Sequence, residues 1–181
     1  MDPDSLTIFY SYLNLEEIVS LFKNKPDLRD KIIDMNYLGL PQINDTIIRG
    51  NIETMKYLIK EINIIPTDCQ MYLACENGHL EIVKYLFKNG IKPHDAINFA
   101  SGNGHLNIVK YLYKNGFKAT CIGIDWAGEN GYLEVVKYLH KNGIKHSSYV
   151  INWASKKGHF EMVEYLKKHK KYKKNYENDE I

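Results

Sequence analysis

Cysteine, proline and long apolar runs are all scarce in this chain of 181 residues, and its net charge is only +2. Three scattered cysteines cannot build a disulfide framework, which favours an intracellular location. No stretch approaches the roughly 20 apolar residues of a membrane helix, and the acidic N-terminus does not look like a signal peptide. The small net charge provides no long-range field for nucleic acid or a membrane surface. The composition, 44% hydrophobic and 25% charged, is that of a folded domain.

A nine-residue block recurs five times along the sequence. The copies begin at residues 50, 78, 104, 131 and 158 and read GNIETMKYL, GHLEIVKYL, GHLNIVKYL, GYLEVVKYL and GHFEMVEYL. Their spacings are 28, 26, 27 and 27 residues. So even a period predicts an array of structural repeats, each of which is one supersecondary unit.

Each copy of the block has the apolar periodicity of a helix. In the second copy, Leu80, Val83 and Leu86 lie three residues apart, and neighbouring apolar residues widen the buried face. A shorter apolar segment precedes each glycine, and Asn-Gly pairs supply the reversal between the two segments and the end of the second. One such helix pair cannot bury its own apolar face. The sequence therefore predicts an all-α solenoid of stacked helix-turn-helix repeats.

The blocks around Gly78, Gly104, Gly131 and Gly158 resemble the A-x-x-x-G-H-L-E-V-V-K-x-L portion of ankyrin repeats. The resemblance covers roughly residues 41–170. Two features differ from the usual ankyrin unit: the period is 26–28 residues instead of 33, and the T-P-L-H opening is absent. The shorter period implies little or no β-hairpin finger. Such short repeats are similar to those in the ankyrin-repeat families of large DNA viruses of amoebae.

The resemblance implies protein–protein recognition, without catalysis and without a cofactor. It further implies a viral protein whose partner is a protein of the host. We expect the chain to act as a monomer in the host cytoplasm, or in the nucleus if the lysine-rich segment 167–174 is a targeting signal.

The expected organisation is a helical N-terminal cap at 1–40, about five repeats over 41–170 and a charged tail at 171–181. The approximate repeat boundaries, numbered here as repeats 1 to 5, are 41–66, 67–93, 94–119, 120–146 and 147–170.

Segment 1–40 has two interpretations. In the first, its helices cover the open apolar face of repeat 1, as terminal units of repeat arrays do. In the second, residues 8–13 and 15–21 resemble an F-box, which implies a ubiquitin-ligase substrate adaptor whose repeats select the target.

Lysines raise the alternative of an anionic partner. Pairs of lysines four residues apart mark the outward side of the second helices, but Glu53, Glu81 and Glu134 precede three of these pairs and dilute their field. Segment 167–174 holds six lysines. It is either a nuclear targeting signal or phosphate-binding patch, or simply the polar end of the last helix. A nucleic-acid groove would also need exposed aromatic residues or arginines among the lysines, so nucleic acid is not the favoured partner.

Neither a metal site nor an active site is predicted. His79, His105 and His159 recur at one repeat position, which predicts a ladder along the turn edge instead of ligands converging on zinc. No nucleophile elbow, phosphate-binding loop or paired catalytic carboxylates appear in the sequence. Cys69 and Cys75 are expected to be core or half-exposed thiols.

The candidate recognition face follows from positions counted back from each turn glycine. Positions −7, −5 and −4 are apolar and are expected in the core, so positions −6 and −2 are expected to point outward on the first helix. The predicted partner-binding residues at these positions are Tyr72, Glu76, Asn98, Asp125, Glu129, Asn152 and Lys156.

Overall fold

A computed structural model describes residues 15–24, 40–61 and 63–169, and within these ranges the regular structure is entirely α-helical. The helices in chain order are α1 (Leu15–Asn24), α2 (Leu40–Ile48), α3 (Ile52–Lys60), α4 (Asp68–Glu76), α5 (Leu80–Lys88), α6 (Ala96–Gly102), α7 (Leu106–Lys114), α8 (Cys121–Glu129), α9 (Leu133–Lys141), α10 (Val150–Lys156) and α11 (Phe160–Lys168). From α2 onward they form five helix pairs, and no strand lies between them in the described ranges. The predicted fold class, an all-α repeat solenoid, is confirmed.

The tight turn inside each pair has one backbone design. At the end of α6, the N–H of His105 donates to the carbonyl of Ala100 (2.9 Å) and the N–H of Gly104 donates to that of Ser101 (3.1 Å). These two bonds form a Schellman motif, which needs a left-handed residue at its fifth position. Gly104 supplies that residue with φ +78°. The Asn-Gly pairs of the sequence therefore end helices, as predicted.

The chain divides into two compact units, residues 1–70 and 71–181, with the boundary inside α4. In the first unit, the α2–α3 pair buries Ile43, Ile47, Met55 and Leu58 completely. The side chain of Asn51 accepts a bond from the N–H of Thr54 (3.0 Å) and so caps α3.

In the second unit, the first helices α6, α8 and α10 pack in sequence, and so do the second helices α5, α7 and α9. Each second helix buries the fifth, sixth and ninth residues of its block, which in α7 are Ile108, Val109 and Leu112. Close approach of the first helices depends on Gly123, because a Cβ there would lie 2.6 Å from Oδ1 of Asn98 in α6. The stack therefore holds α8 between α6, α10 and its own second helix α9.

None of the helices in the described part of the chain is both long and apolar enough to cross a membrane.

Candidate recognition surface

The solvent-facing side of the first helices carries aromatic and apolar residues in repeats 4 and 5. Ile122 and Trp126 are exposed on α8. Tyr149, just before α10, and Trp153, within α10, are also exposed. Each pair lies four residues apart, at positions −9 and −5 from the turn glycine, and so faces one side of the helix. Repeat 3 has Phe99, half-buried, at position −5. We call Phe99, Ile122, Trp126, Tyr149 and Trp153 the aromatic stripe.

Ring contacts connect the stripe across neighbouring repeats. Tyr72 stacks on Phe99 with ring centroids 4.6 Å apart, and Phe99 meets Trp126 edge to face at 5.8 Å. Trp126 also lies against the backbone of Gly102, where an added Cβ would be only 3.0 Å from the tryptophan Cβ. In repeat 5, Tyr149 and Trp153 stack at 6.1 Å. Neighbouring rings and backbone therefore restrict the rotamers of an exposed aromatic surface.

Position −5 was expected in the core, and this is wrong for Trp126 and Trp153, which are 40% and 39% exposed. The physical reason is packing on three sides. A first helix held by two neighbouring first helices and its own second helix buries most of its circumference, and α8 buries Gly123, Ile124, Asp125, Ala127 and Gly128. On α8 only the narrow strip through Ile122 and Trp126 is exposed. The helix α10 has one neighbouring first helix in the described stack, so it exposes Asn152 and Lys156 as well as Trp153.

Position −6 was expected to point outward, and this is wrong for Asn98 and Asp125, which are 2% and 8% exposed. Oδ1 of Asn98 accepts a hydrogen bond from the N–H of Thr120 (3.1 Å), and Oδ1 of Asp125 accepts one from the N–H of Ser147 (2.8 Å). Each donor lies 22 residues after its acceptor, in the loop that enters the next repeat. These polar side chains satisfy backbone N–H groups of the loops instead of facing a partner.

The other predicted residues lie nearer to solvent. Glu76, Asn152 and Lys156 are exposed, and Tyr72 is half-buried against Phe99. Glu129 is half-buried, and its carboxylate pairs with Nζ of Lys157 at 2.9 Å. Partner binding by these five residues stays a prediction.

Asp125 is the buried acid of this surface. Burial raises the pKa of its carboxyl, and the hydrogen bond from the Ser147 N–H opposes that rise without cancelling it. The carboxylate therefore fixes the loop at an electrostatic cost, whereas the neutral amide of Asn98 performs the same task in the preceding repeat.

The histidine ladder lies along the turn edge, as predicted. Nε2 of His105 lies 2.8 Å from the carbonyl oxygen of Glu76 in the preceding repeat. Its ring covers Gly78, and the ring of Tyr132 covers Gly104 in the same way. The side chain of His105 makes no cap bond to its own helix. The ring therefore stacks on the neighbouring turn and stabilises it.

Lysines of the second helices are partly neutralised, as the sequence predicted. Lys56, Lys84 and Lys137 pair with glutamates three residues earlier, at 2.6–2.7 Å. Lys110 lies over the ring of Tyr138 at 5.8 Å. Of segment 167–174, residues 167–169 are described and both lysines there are exposed, while 170–174 lie outside the described residues.

The described residues contain no cluster of three or more histidine, cysteine, aspartate or glutamate side chains that could hold a metal ion. Cys75 is buried, and burial raises the pKa of its thiol to about 12. Cys69 is exposed, so the expectation of a core or half-exposed thiol is confirmed for Cys75 and wrong for Cys69.

The first half of the F-box-like stretch 8–21 lies outside the described residues. Residues 8–13 are not described, and residues 15–21 fall within α1, which buries Val19. Neither interpretation of segment 1–40 is tested by this helix.

The sequence analysis missed the aromatic stripe, although a signal was present. Position −5 changes from Leu73 through Phe99 to tryptophan in repeats 4 and 5, and an apolar residue stands four positions earlier in both of those repeats. Because the repeats keep a nearly constant spacing, side chains at position −5 that become larger from one repeat to the next indicate free space on the solvent side of that position.

A family model described as "Ankyrin repeats (3 copies)" matches the chain over residues 11–97, 43–122 and 71–149. The chain therefore belongs to the ankyrin-repeat family, whose repeats are protein–protein interaction modules. The first match begins at residue 11, inside the segment 1–40 that was predicted to be a cap. No curated protein matches the sequence.

Proposed function

We propose that this protein is a non-enzymatic interaction scaffold that binds its protein partner with the aromatic stripe of repeats 3 to 5. The observation that carries the proposal is the joint exposure of Trp126 and Trp153 on neighbouring first helices. Contiguous exposed apolar surface on a folded protein marks an interaction site, whereas scattered apolar residues do not.

The chemistry of the stripe suits binding by a few anchor residues. Tryptophan and tyrosine are the residues in which alanine scanning most often finds a large part of the binding energy. Both tryptophans are held by neighbouring rings, Trp126 by Phe99 and Trp153 by Tyr149. Restricted rotamers lower the side-chain entropy that is lost on association.

The proposal extends to the partner and its compartment. The resemblance of the short repeats to those of large viral ankyrin families supports a host protein as the partner. The scarcity of cysteine supports an encounter inside the cell.

The test compares partners captured from a eukaryotic lysate by three forms of the full chain. The first is the unchanged protein, the second carries Trp126→Ala with Trp153→Ala, and the third carries Phe160→Ala. Phe160 is 72% exposed at the start of α11, outside the stripe, and is the matched control for loss of an exposed aromatic ring.

We expect the unchanged protein and the Phe160→Ala variant to capture the same proteins, and the double variant to lose them. Circular dichroism and the thermal midpoint confirm that all three forms are folded. Undiminished capture by a folded double variant would assign recognition to another surface.

A further inference from the structure

The loops between repeats share a basic motif that the aromatic stripe does not use. Each of three second helices ends in Lys-Asn-Gly, followed by an apolar residue and a further lysine, at 88–92, 114–118 and 141–145. All six lysines are exposed, and stacking of the repeats places their loops along one edge. We call this row the loop edge. Its members are Lys88, Lys92, Lys114, Lys118, Lys141 and Lys145.

The loop edge differs from the second-helix face in its charge balance. On that face, glutamates three residues earlier neutralise Lys84 and Lys137. In the described part of the chain, none of the six loop-edge lysines forms an ion pair. Lys92 lies over the ring of Phe87 at 4.9 Å, which does not cancel its charge.

Part of this charge has a local structural role. The first lysine of each motif ends a helix, where a cation meets the negative end of the helix dipole. The second lysine, at 92, 118 and 145, lies beyond the helix end and has no such partner. The other titratable side chains in these loops are His94 and Asp95, next to Lys92, and the buried His146, next to Lys145.

A shallow cavity opens on the loop edge between the loops that enter repeats 4 and 5. Its volume is about 410 Å³, and its lining residues are Ala119, Thr120, Cys121, Gly143, Ile144 and Lys145. Ala119 and Ile144 provide apolar wall, and Lys145 stands at the cavity with Lys118 one residue before its lining. The cavity therefore combines room for an aliphatic side chain with positive charge on both flanking loops.

We propose that the loop edge is a second docking surface, for an extended acidic protein segment that inserts one aliphatic side chain between the loops at 119–121 and 143–145. Carboxylates of the segment would meet the lysine row, and the cavity would fix its register. Its residues differ from those of the aromatic stripe, so the proposal does not depend on the proposed function.

An acidic segment fits this edge better than a nucleic acid does. Single-stranded nucleic acid needs exposed aromatic rings on which bases stack. The apolar residues inside the three motifs are Ile91, Phe117 and Ile144; Phe117 is buried, and the two isoleucines are half-buried. The loop edge therefore offers charge without a stacking platform.

The test uses a fluorescein-labelled twelve-residue peptide with six glutamates and a central leucine, titrated with the full chain and followed by fluorescence anisotropy. The edge variant is Lys118→Gln with Lys145→Gln. The matched control is Lys84→Gln with Lys137→Gln, which removes the same charge from exposed helix positions paired with glutamate. The Trp126→Ala, Trp153→Ala variant tests independence from the stripe.

We expect the edge variant to weaken peptide binding about 3- to 10-fold, since it removes two exposed charge contacts that each contribute modestly, and the control to change it less than about 2-fold. Replacing the peptide leucine by glycine should weaken binding further, and the stripe variant should bind normally. Equal losses in the edge and control variants would overturn the proposal, and so would no effect of the leucine. Tighter binding of a twelve-nucleotide oligothymidine than of the peptide would assign the edge to nucleic acid instead.

Discussion

The carboxylate of Asp125 accepts a hydrogen bond from the backbone N–H of Ser147 at 2.8 Å, and these two residues belong to successive repeats. Asn98 and Thr120 form the same bond one repeat earlier, at 3.1 Å. An amide and a carboxylate thus perform one task in one scaffold, which allows the cost of the buried charge to be measured.

Replacing Asp125 with asparagine should make stability depend less on pH. Burial holds the pKa of Asp125 above its ordinary value of 3.8, so the folded chain binds the proton more tightly than the unfolded chain does. The unchanged protein therefore loses stability as the pH rises from 3.8 through the folded-state pKa, whereas the amide does not titrate. The free energy of unfolding of Asp125→Asn relative to the unchanged protein should rise across that window in urea titrations.

The natural amide provides the reciprocal control. Asn98→Asp should introduce a pH dependence of the same sign, because position 98 is buried in the same way. Parallel pH profiles for all three proteins would contradict the assignment of this cost to the buried carboxylate.

Gly123→Ala should destabilise the protein, although alanine is the better helix former by about 1 kcal/mol. A Cβ at 123 would lie 3.1 Å from the backbone Cα of Asn98 and 2.6 Å from its Oδ1, so the two helices must move apart. We expect a net loss of about 1–2 kcal/mol, since overpacking costs about 1–3 kcal/mol, measured by urea denaturation.

Gly102→Ala is the comparison for this prediction. A Cβ at 102 would lie 3.0 Å from the Cβ of Trp126 at its closest, a longer contact than the 2.6 Å at Gly123. The loss should therefore be smaller than for Gly123→Ala, and the reverse order would show that contact between backbones does not limit the stack.

His105→Ala should lower stability by about 1–2 kcal/mol, because it removes the hydrogen bond to the Glu76 carbonyl and the ring that covers Gly78. His105→Tyr should cost less than about 1 kcal/mol, because Tyr132 already covers Gly104 in the same way. Thermal melts of the three proteins test the order. Equal losses for the two variants would mean that the hydrogen bond, and not the ring, stabilises the turn.

The three cysteines should differ in their labelling rates in a thiol-labelling experiment at pH 8. Cys69 is exposed and Cys121 is half-exposed, whereas Cys75 is buried and the pKa of its thiol is raised to about 12. Cys69 and Cys121 should react in the native protein. Cys75 should react only as fast as the protein unfolds, because the thiolate is the reactive species. Mass mapping identifies the sites, and rapid native labelling of Cys75 would show that α4 opens locally.

The internal architecture of each repeat could be predicted from local pattern. The helix ends at Gly104 and its equivalents follow from glycine being able to adopt positive φ, which a Schellman motif needs. The pairing of Glu81 with Lys84 followed from their spacing on a helix. These features depend on residues within four or five positions of one another, so one repeat is enough to infer them.

The recognition surface could not be predicted in the same way. A polar residue such as Asn98 was assigned to solvent, and a large apolar residue such as Trp126 to the core, and both assignments were wrong. Residue type predicts burial only where a side chain has no specific partner, and the partner of Asn98 is a backbone N–H 22 residues away.

The sequence by itself determined the repeat, its helices, its turns and its family, because the blocks recur and each encodes its own short-range hydrogen bonds. The tertiary structure decided which side of the first helices meets solvent. A helix enclosed on three sides leaves one narrow strip open, and the position of that strip depends on how closely its neighbours approach. At Gly123 and Gly102 that approach brings backbone within reach of the neighbouring helix, and the strip left open on α8 carries Ile122 and Trp126.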